Sequence, residues 1–413
     1  MTASQFLHGV ETIEVPQATQ PITINKLATV GIVGTAPDAD PDIFPLDTPV
    51  LLTSAPQKAA SLGAAGTLLA AVRDAYAEGA GAVIVSRVAA SNDVDTQMTN
   101  AIGSLVGRTG MYSLLSARAK TGEMPRTIIA PGLTATRPVV GGAPAANPVS
   151  QAALIVAGKL RGRHYAATPS TSMDDAIAWR EDFDSARLLP IFPGVLTWDP
   201  VTSSYVARDA AASFAGLTAR VHKQNGFWFS PSNFPFNAVG GVTTPIDWAS
   251  GDADCMANIL NENRIATIIN MAQASGVQYG GFRRWGNRVA ASDVNWVFET
   301  TRTIEDGVYE ALEEATLWAV DKPATIQLLL DMTERADRFF KFGKHEGFLV
   351  GGKCWLDPED NPPAQMKNGV YTWRIDPTAT TPMEHIIYKA QTNDQYYTDQ
   401  LASLSAMIAA QVQ

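Results

Sequence analysis

Residues 279–288 read Tyr-Gly-Gly-Phe-Arg-Arg-Trp-Gly-Asn-Arg, so Arg283, Arg284 and Arg288 alternate with aromatic and glycine residues. A guanidinium stacks on aromatic faces and forks onto carboxylates. Such a stretch can hold unstacked bases, or it can make ion pairs and hydrogen bonds at a domain or subunit interface. The chain carries 41 acidic against 31 basic residues, a formal charge of −10. That field opposes a phosphate backbone, so the interface is preferred, with Trp285 as part of it, and nucleic acid is not expected as a partner.

Other residue types that could do chemistry do not converge. Gly31 and Gly34 form a G-x-x-G, but Thr35, Ala36 and Pro37 follow where a nucleotide-binding turn needs a helix. Gly351-Gly352-Lys353 echoes the end of a phosphate loop, yet Cys354 stands where Ser or Thr belongs, and a loop or bulge in a strand explains it better. No G-x-S-x-G occurs. His8, His164, His222, His345 and His385 are scattered singly, without the i, i+4 spacing of paired metal ligands. Cys255 and Cys354 stand alone and are expected to be ordinary thiols. Acidic residues at 38–42 and 357–360 sit among prolines as turn formers. Asp174 and Asp175 open a helix, and Glu313 and Glu314 lie within one, so solvated carboxylates are expected. No catalytic, cofactor or metal site is expected, although a β-α-β opening alone would also suit an α/β enzyme.

The elements that must position these residues follow from periodicity. The chain of 413 residues, 46% hydrophobic and 17% charged, has a globular composition and length for two or three packed units. No apolar run is long enough to cross a bilayer, and residues 1–14 show neither a basic nor an apolar leader region. Residues 10–24, with Ile13, Val15, Ile22 and Ile24 alternating around Pro16 and Pro21, should be extended. Their ladder groups would be available for pairing elsewhere or on their own domain. Strands at 29–33, 82–88, 126–130 and 164–167 alternate with helices at 57–77, 111–120, 150–160 and 173–182, the pattern of a parallel, helix-covered sheet. A strand at 188–198 and an alanine-rich helix at 205–223 follow. The last third predicts a helix at 253–262, a strand at 264–269 and long helices at 293–319 and 324–341. In the second long helix Ile326, Leu329, Leu330 and Phe340 are expected inside, and Glu334, Arg335, Asp337 and Arg338 outside. Strands at 347–355, 369–375 and 383–389 and a closing helix at 395–410 complete the pattern.

Glycine and proline clusters at 131–148 and 229–246 mark connections. The expected architecture is mixed α/β (α+β) and multi-domain. It comprises an extended arm at 1–26, an α/β domain at 27–130, an inserted α/β domain at 131–250, a C-terminal α/β domain at 251–392 and a terminal arm or helix at 393–413.

Three segments carry a resemblance. The Trp285-Gly286-Asn287-Arg288 strand ahead of a long helix resembles the signature region of contractile tail sheath proteins. The opening, FLHGVE at 6–11, VGIVGTAP at 30–37 and FPLDTPVLLT at 44–53, resembles the P2-like phage branch of that family, and residues 383–404 resemble its end. The resemblance implies a non-enzymatic subunit that forms a six-fold helical polymer of stacked rings around an inner tail tube. It implies baseplate and tail terminator partners, assembly in the host bacterial cytoplasm, a place in the virion tail, and contraction that drives the tube through an envelope during genome ejection. Headless tail-like bacteriocins and related injection systems use similar sheaths. In the family, arms add strands to neighbouring subunits. That implication makes Ile13, Val15, Ile22 and Ile24, together with Ile386 and Tyr388 near the chain's end, candidate inter-subunit residues alongside Arg283, Arg284, Trp285 and Arg288.

Overall fold

The computed structural model describes residues 27–53, 56–271 and 281–411. The candidate arm residues Ile13, Val15, Ile22 and Ile24 lie outside them. The chain divides into two units, residues 1–381 and residues 382–413.

The first unit is organised by a six-stranded sheet. Its strands are β1 (Val30–Thr35), β2 (Pro49–Leu52), β3 (Val83–Val88), β4 (Thr127–Ile129), β7 (Arg163–Ala167) and β8 (Leu188–Ile191), in the order β2-β3-β1-β4-β7-β8. All pairings are parallel except that of the edge strand β2 with β3. Because side chains alternate across a strand, Val30 and Ile32 join Val83, Val85 and Ile129 on one face, while Val33 joins Ile84, Val88 and Ile128 on the other. The first face is covered by α2 (Leu68–Ala77) and α7 (Ala211–Asn225) through Leu68, Val72, Phe214 and Leu217. The second is covered by α3 (Val94–Ile102), a 3-10 turn at Gly110–Ser116, α4 (Ala117–Thr121) and α5 (Pro148–Lys159), through Met98, Met111, Leu114, Ala117, Val149 and Val156. The parallel, helix-covered sheet expected from the sequence is present. It continues past residue 131, where a domain division was expected, because β4 pairs with β7 across the connection that holds the short hairpin β5 (Val139–Val140) and β6 (Ala143–Pro144).

Beyond α6 (Met173–Glu181) and β8, the expected strand at 188–198 is two strands, with a turn at residues 192–194 between β8 and β9 (Val195–Asp199). The helix expected at 205–223 begins later, after β10 (Ser204–Arg208); β9 pairs with both β10 and β11 (Val239–Val242). This small sheet is tied to α2 by two carboxylates one helical turn apart. Arg208 bridges Asp74 at 3.0 Å and Asp199 at 2.8 Å, and Glu78 accepts the backbone N–H groups of Asn237 and Ala238 at 2.7 and 2.8 Å. The helix expected at 57–77 is also broken, into α1 (Pro56–Ala60) and α2. Gly66 between them has φ +91°, and a Cβ there would stand 2.7 Å from the carbonyl carbon of Thr35, so continuous helix cannot pass this point. β10 lies where the start of that helix was expected, and α3 and β2 gave no sequence expectation.

The remainder of the first unit holds α8 (Met256–Glu262), β12 (Thr267–Asn270), β13 (Phe282–Trp285), α9 (Glu299–Thr316) and α10 (Ile326–Glu346). Thr325 caps α10 by accepting from Leu328 N, and Gly347 ends it in a left-handed conformation. Two antiparallel pairs follow: β14 (Leu349–Gly351) with β17 (Thr378–Ala379), and β15 (Cys354–Leu356) with β16 (Trp373–Ile375), with α11 (Pro363–Lys367) between β15 and β16. Of the Gly351-Gly352-Lys353 segment, Gly351 ends β14 and the other two connect it to β15; a Cβ on Gly352 would press at 3.1 Å on both Phe340 and Pro377. A third core joins Ile304, Val308 and Ala311 of α9 to Ala336, Phe339 and Phe340 of α10 and to Phe348, Leu349, Cys354 and Ala379. Contrary to the amphipathic expectation, Ile326 and Leu330 stand exposed, because this core meets α10 only from Ala336 onward.

The second unit contains α12 (Gln395–Gln411) and residues 382–392 without regular structure. No strand forms at 383–389, where one was expected: a strand requires a ladder partner, and the described residues of this unit include no other strand. Ile386 and Tyr388 are exposed there.

α7 packs closely on the end of α2 at Gly216, where a Cβ would come within 2.8 Å of Glu78 Cβ and closer still to Ala75 O. Gly216→Val should therefore force the helices apart and cost about 1–3 kcal/mol in urea unfolding. Gly158→Val, on α5 with open space around its would-be Cβ, should cost less.

Candidate functional site

β13 pairs antiparallel with β12, placing Arg283 and Arg284 opposite Ile269 and Ile268. Strand alternation sends the two arginines to opposite sides. Arg283 donates to the backbone carbonyl of Asn233. Arg284 turns into the core and is fully buried. It pairs with Glu299 at the start of α9, donates to Thr218 Oγ1 at 2.8 Å and to Tyr165 Oη at 3.3 Å, and lies 5.4 Å from the Tyr165 ring centroid and 5.3 Å from that of Phe214. Glu299 also accepts from the Tyr165 hydroxyl and faces Arg163 at 3.4 Å, while Arg163 donates to Thr303 Oγ1. The result is a buried Arg163–Glu299–Arg284 cluster. Burial alone would raise the Glu299 carboxyl, but Arg284 and Arg163 outweigh it and hold the group below its usual range. Burial pushes the Tyr165 hydroxyl up, and the Glu299 charge adds to that.

The cluster is one end of a longer arrangement. Arg126 immediately precedes β4, Arg163 opens β7 and Arg187 immediately precedes β8, so parallel strands bring three guanidiniums to one edge of the sheet. α9 lies along it. Asp306 takes both terminal nitrogens of Arg187, at 2.6 and 2.8 Å, and accepts from Arg302 at 2.7 Å. Glu310 pairs with Arg126, whose other terminal nitrogen donates to Leu160 O at 2.9 Å. Farther along, Glu313 pairs with Arg161, and Glu314 with Arg118 at 2.9 Å. At about 100° per residue, Glu299, Asp306, Glu310 and Glu313 form a row on the side of α9 away from Ile304, Val308 and Ala311. One face of the helix thus holds the sheet edge by charge while the other holds α10 by apolar packing.

Trp285 meets Trp248 in a T-shaped contact at 5.5 Å, and Arg288 lies 5.7 Å from the Phe298 ring centroid, with those two residues also bridged through their backbones. The four sequence candidates Arg283, Arg284, Trp285 and Arg288 thus make contacts within the chain. Arg284 in particular is a core residue with no surface to offer a neighbour. Sequence reasoning passed over Arg126, Arg163 and Arg187 and over Glu299, Asp306 and Glu310. The available signals were an arginine at the start of successive strands and acids recurring at helical intervals. Glu313 and Glu314, expected to be solvated, form ion pairs at the outer end of the row. His164 and His222 are buried, and burial pushes their imidazoles down to about 4 and about 3, with Arg163 adding to the effect at His222. Cys255 and Cys354 are free and buried. Among the described residues, no group of three or more His, Cys, Asp or Glu could hold a metal ion, and no helix is long and apolar enough to cross a membrane.

No family model matches the chain. A tail sheath protein of Escherichia phage P2 is 30% identical over 413 residues, covering 98% of this chain and 100% of that one. The chain belongs to the tail sheath protein family. A second sheath relative, a putative prophage major tail sheath protein of Pseudomonas aeruginosa, is 30% identical over 96% of this chain and 99% of its own. The sheath fold recurs in the cryo-EM structure of the anti-feeding prophage helical sheath in its contracted state. That chain has a TM-score of 0.67 at 16% identity, with 94% of this chain and 100% of that one covered. In this sheath subunit Arg283 and Arg284 of the arginine-rich strand and the acidic row of the long helix after it are buried or paired within the fold, while Trp285 and Arg288 are partly exposed.

Two outcomes are expected. Arg284→Met, which takes from buried Glu299 one of its two guanidiniums, should cost about 3–5 kcal/mol in denaturant unfolding, whereas Arg284→Met combined with Glu299→Leu should cost less than the sum of the single variants. His222 binds its proton in the unfolded chain near pH 6.5 but in the folded chain only near 3. Its contribution is therefore complete above pH 6.5 and declines on acidification toward 3. A stability–pH profile of His222→Leu should lose roughly 1.4 kcal/mol per pH unit of acid-side slope within that window.

Proposed function

We propose that the chain is a structural subunit of a contractile tail sheath, polymerising with copies of itself as stacked six-fold rings around an inner tail tube. Its full-length relationship to phage and prophage tail sheath proteins carries this reading. The fold supports it: the charged residues around the signature strand are paired within the chain, while the terminal unit presents a largely exposed segment and helix suited to contacts with other copies.

On this reading the chain works without catalysis. Extended and contracted lattices are two packings of the same subunit, and contraction proceeds because the compact packing is lower in free energy. The body moves as a unit between them, and the arms keep subunits joined. Baseplate and tail terminator proteins bound the polymer at its two ends. The finished sheath lies in the virion tail after assembly in the host cytoplasm, and its contraction drives the tube through the envelope for genome ejection. Ile13, Val15, Ile22 and Ile24 would extend a neighbour's sheet by strand addition, and residues around Ile386 and Tyr388 would pair there as a strand.

Negative-stain microscopy of the concentrated protein, alone and co-expressed with its tube protein, should show striated hollow cylinders or stacked rings. Deleting residues 1–20 should abolish these polymers and leave a folded monomer with unchanged far-UV circular dichroism. Small discrete particles from the intact chain under both conditions would count against the sheath role, and polymers surviving the deletion would remove the N-terminal arm from it.

A further inference from the structure

The small sheet of β9, β10 and β11 sits on two carboxylates of α2 that are hidden from water: Asp74 is 5% exposed and Glu78 fully buried. A buried carboxylate keeps its charge when cations or several N–H donors answer it. Around Asp74 the cations run short. Arg208 of β10 is shared, with one terminal nitrogen 3.0 Å from Asp74 and the other 2.8 Å from Asp199 of β9. One turn along α2, Arg220 of α7 stands 3.9 Å from Glu78 and donates to the carbonyl of Pro235, so Glu78 rests chiefly on the N–H groups of Asn237 and Ala238. Three carboxylates thus meet two guanidiniums at this seat. Arg73 of α2 adds a positive field that acts on Asp199.

A proton relieves the excess negative charge, and the two acids that share Arg208 do not compete for it equally. Asp199 accepts the backbone N–H of Val201 at 2.8 Å, which together with Arg208 holds its carboxyl below the usual range. At Asp74, burial outweighs the relief from Arg208 and pushes the carboxyl up to about 6. Burial raises Glu78 as well, offset in part by its two N–H donors and Arg220.

We infer that this seat is a proton-linked latch: Asp74 takes up a proton when β9, β10 and β11 close on α2, so mild acid tightens the attachment of the small sheet relative to neutral pH. With Asp74 neutral, Arg208 stays on Asp199, and the strand keeps an ion pair while the surplus buried charge disappears. The sign follows from the two states of the sheet. Lifted, it exposes Asp74 to water, where the carboxyl titrates near its ordinary 3.8; seated, the same group titrates near 6. The seated form therefore gains as pH falls between those values, and the gain is absent above them. Glu78 acts in the same sense. His222, pushed down to about 3, acts in the opposite sense on the whole fold, so the latch is read locally and against a variant. It is a property of the single subunit and does not depend on assembly.

Hydrogen exchange of the full-length chain, corrected for the pH dependence of the chemical step, measures opening of peptides spanning residues 195–208 and 239–242. A seated value of about 6 against 3.8 predicts about tenfold less opening of these strands at about pH 5 than at about pH 7.5. Asp74→Asn, neutral at every pH, should open equally at both. Asp199→Asn leaves Arg208 to Asp74 alone and should move the transition to lower pH, which tests the sharing even where Asp74→Asn fails to fold. Wild-type opening that is independent of pH or grows in acid would overturn the latch. So would an Asp74→Asn chain that keeps the wild-type pH dependence, or an Asp199→Asn chain whose transition stays in place. An equal change in peptides from β1 and β3 would overturn it as a local device, because the proton would then be linked to the whole fold.

Discussion

The fold turns on a carboxylate buried between two guanidiniums. Glu299 brings a negative charge into a site where neither it nor Arg284 meets water, a large desolvation cost unless every partner is in place. Arg163, Tyr165 and Thr218 supply those partners from β7 and α7, and Glu299 stands at the first turn of α9. Four segments distant in sequence must therefore reach one point together. The favourable return is specificity of arrangement rather than bulk stability, since a well-packed apolar cluster could fill the same volume at lower cost.

From that point α9 runs along the sheet's arginine edge, and its opposite face carries α10 and the small C-terminal β pairs. The helix thus transmits the position of the signature strand to the third core. Arg187 and Arg126 reach Asp306 and Glu310 seven and eleven residues beyond Glu299, so the helix is fixed in rotation as well as in place. A turn of the helix by one residue, about 100°, would bring Ile304 and Val308 toward guanidiniums and strand the acids in the apolar layer.

Much of this architecture was legible because sheet and helix periods differ so strongly. The apolar runs at 29–33 and 82–88, alternating with helical patterns, gave the parallel core, and the apolar spacing of α9 gave a long amphipathic helix. What was not legible depended on tertiary partners. The 57–77 pattern reads as one helix until Gly66 meets the Thr35 carbonyl. Ile326 and Leu330 read as buried because periodicity records which side of α10 is apolar, not whether anything covers it. Residues 383–389 have strand-like side chains, but the described residues of their own unit offer no strand to pair with. The arginine-rich segment was recognised as unusual, but its destination was not: adjacent Arg283 and Arg284 diverge because β13 is a strand, one toward Asn233 and the other into the core. The acidic row was missed because carboxylates recurring along a helix resemble a solvated face unless the matching arginines, scattered over 118–187, are known to share an edge.

The spacing of those pairs has a mechanical consequence. Contacts distributed along one axis resist load differently according to its direction. A pull parallel to α9 loads the pairs from Glu299 to Glu314 together in shear, so none yields until several do. A pull that lifts the helix from its C-terminal end opens them in sequence, beginning with the exposed Glu314 and Glu313 contacts and reaching the buried Glu299 last. The subunit is therefore anisotropic: stiff along α9, compliant to peeling from its outer end, and graded in strength between the two.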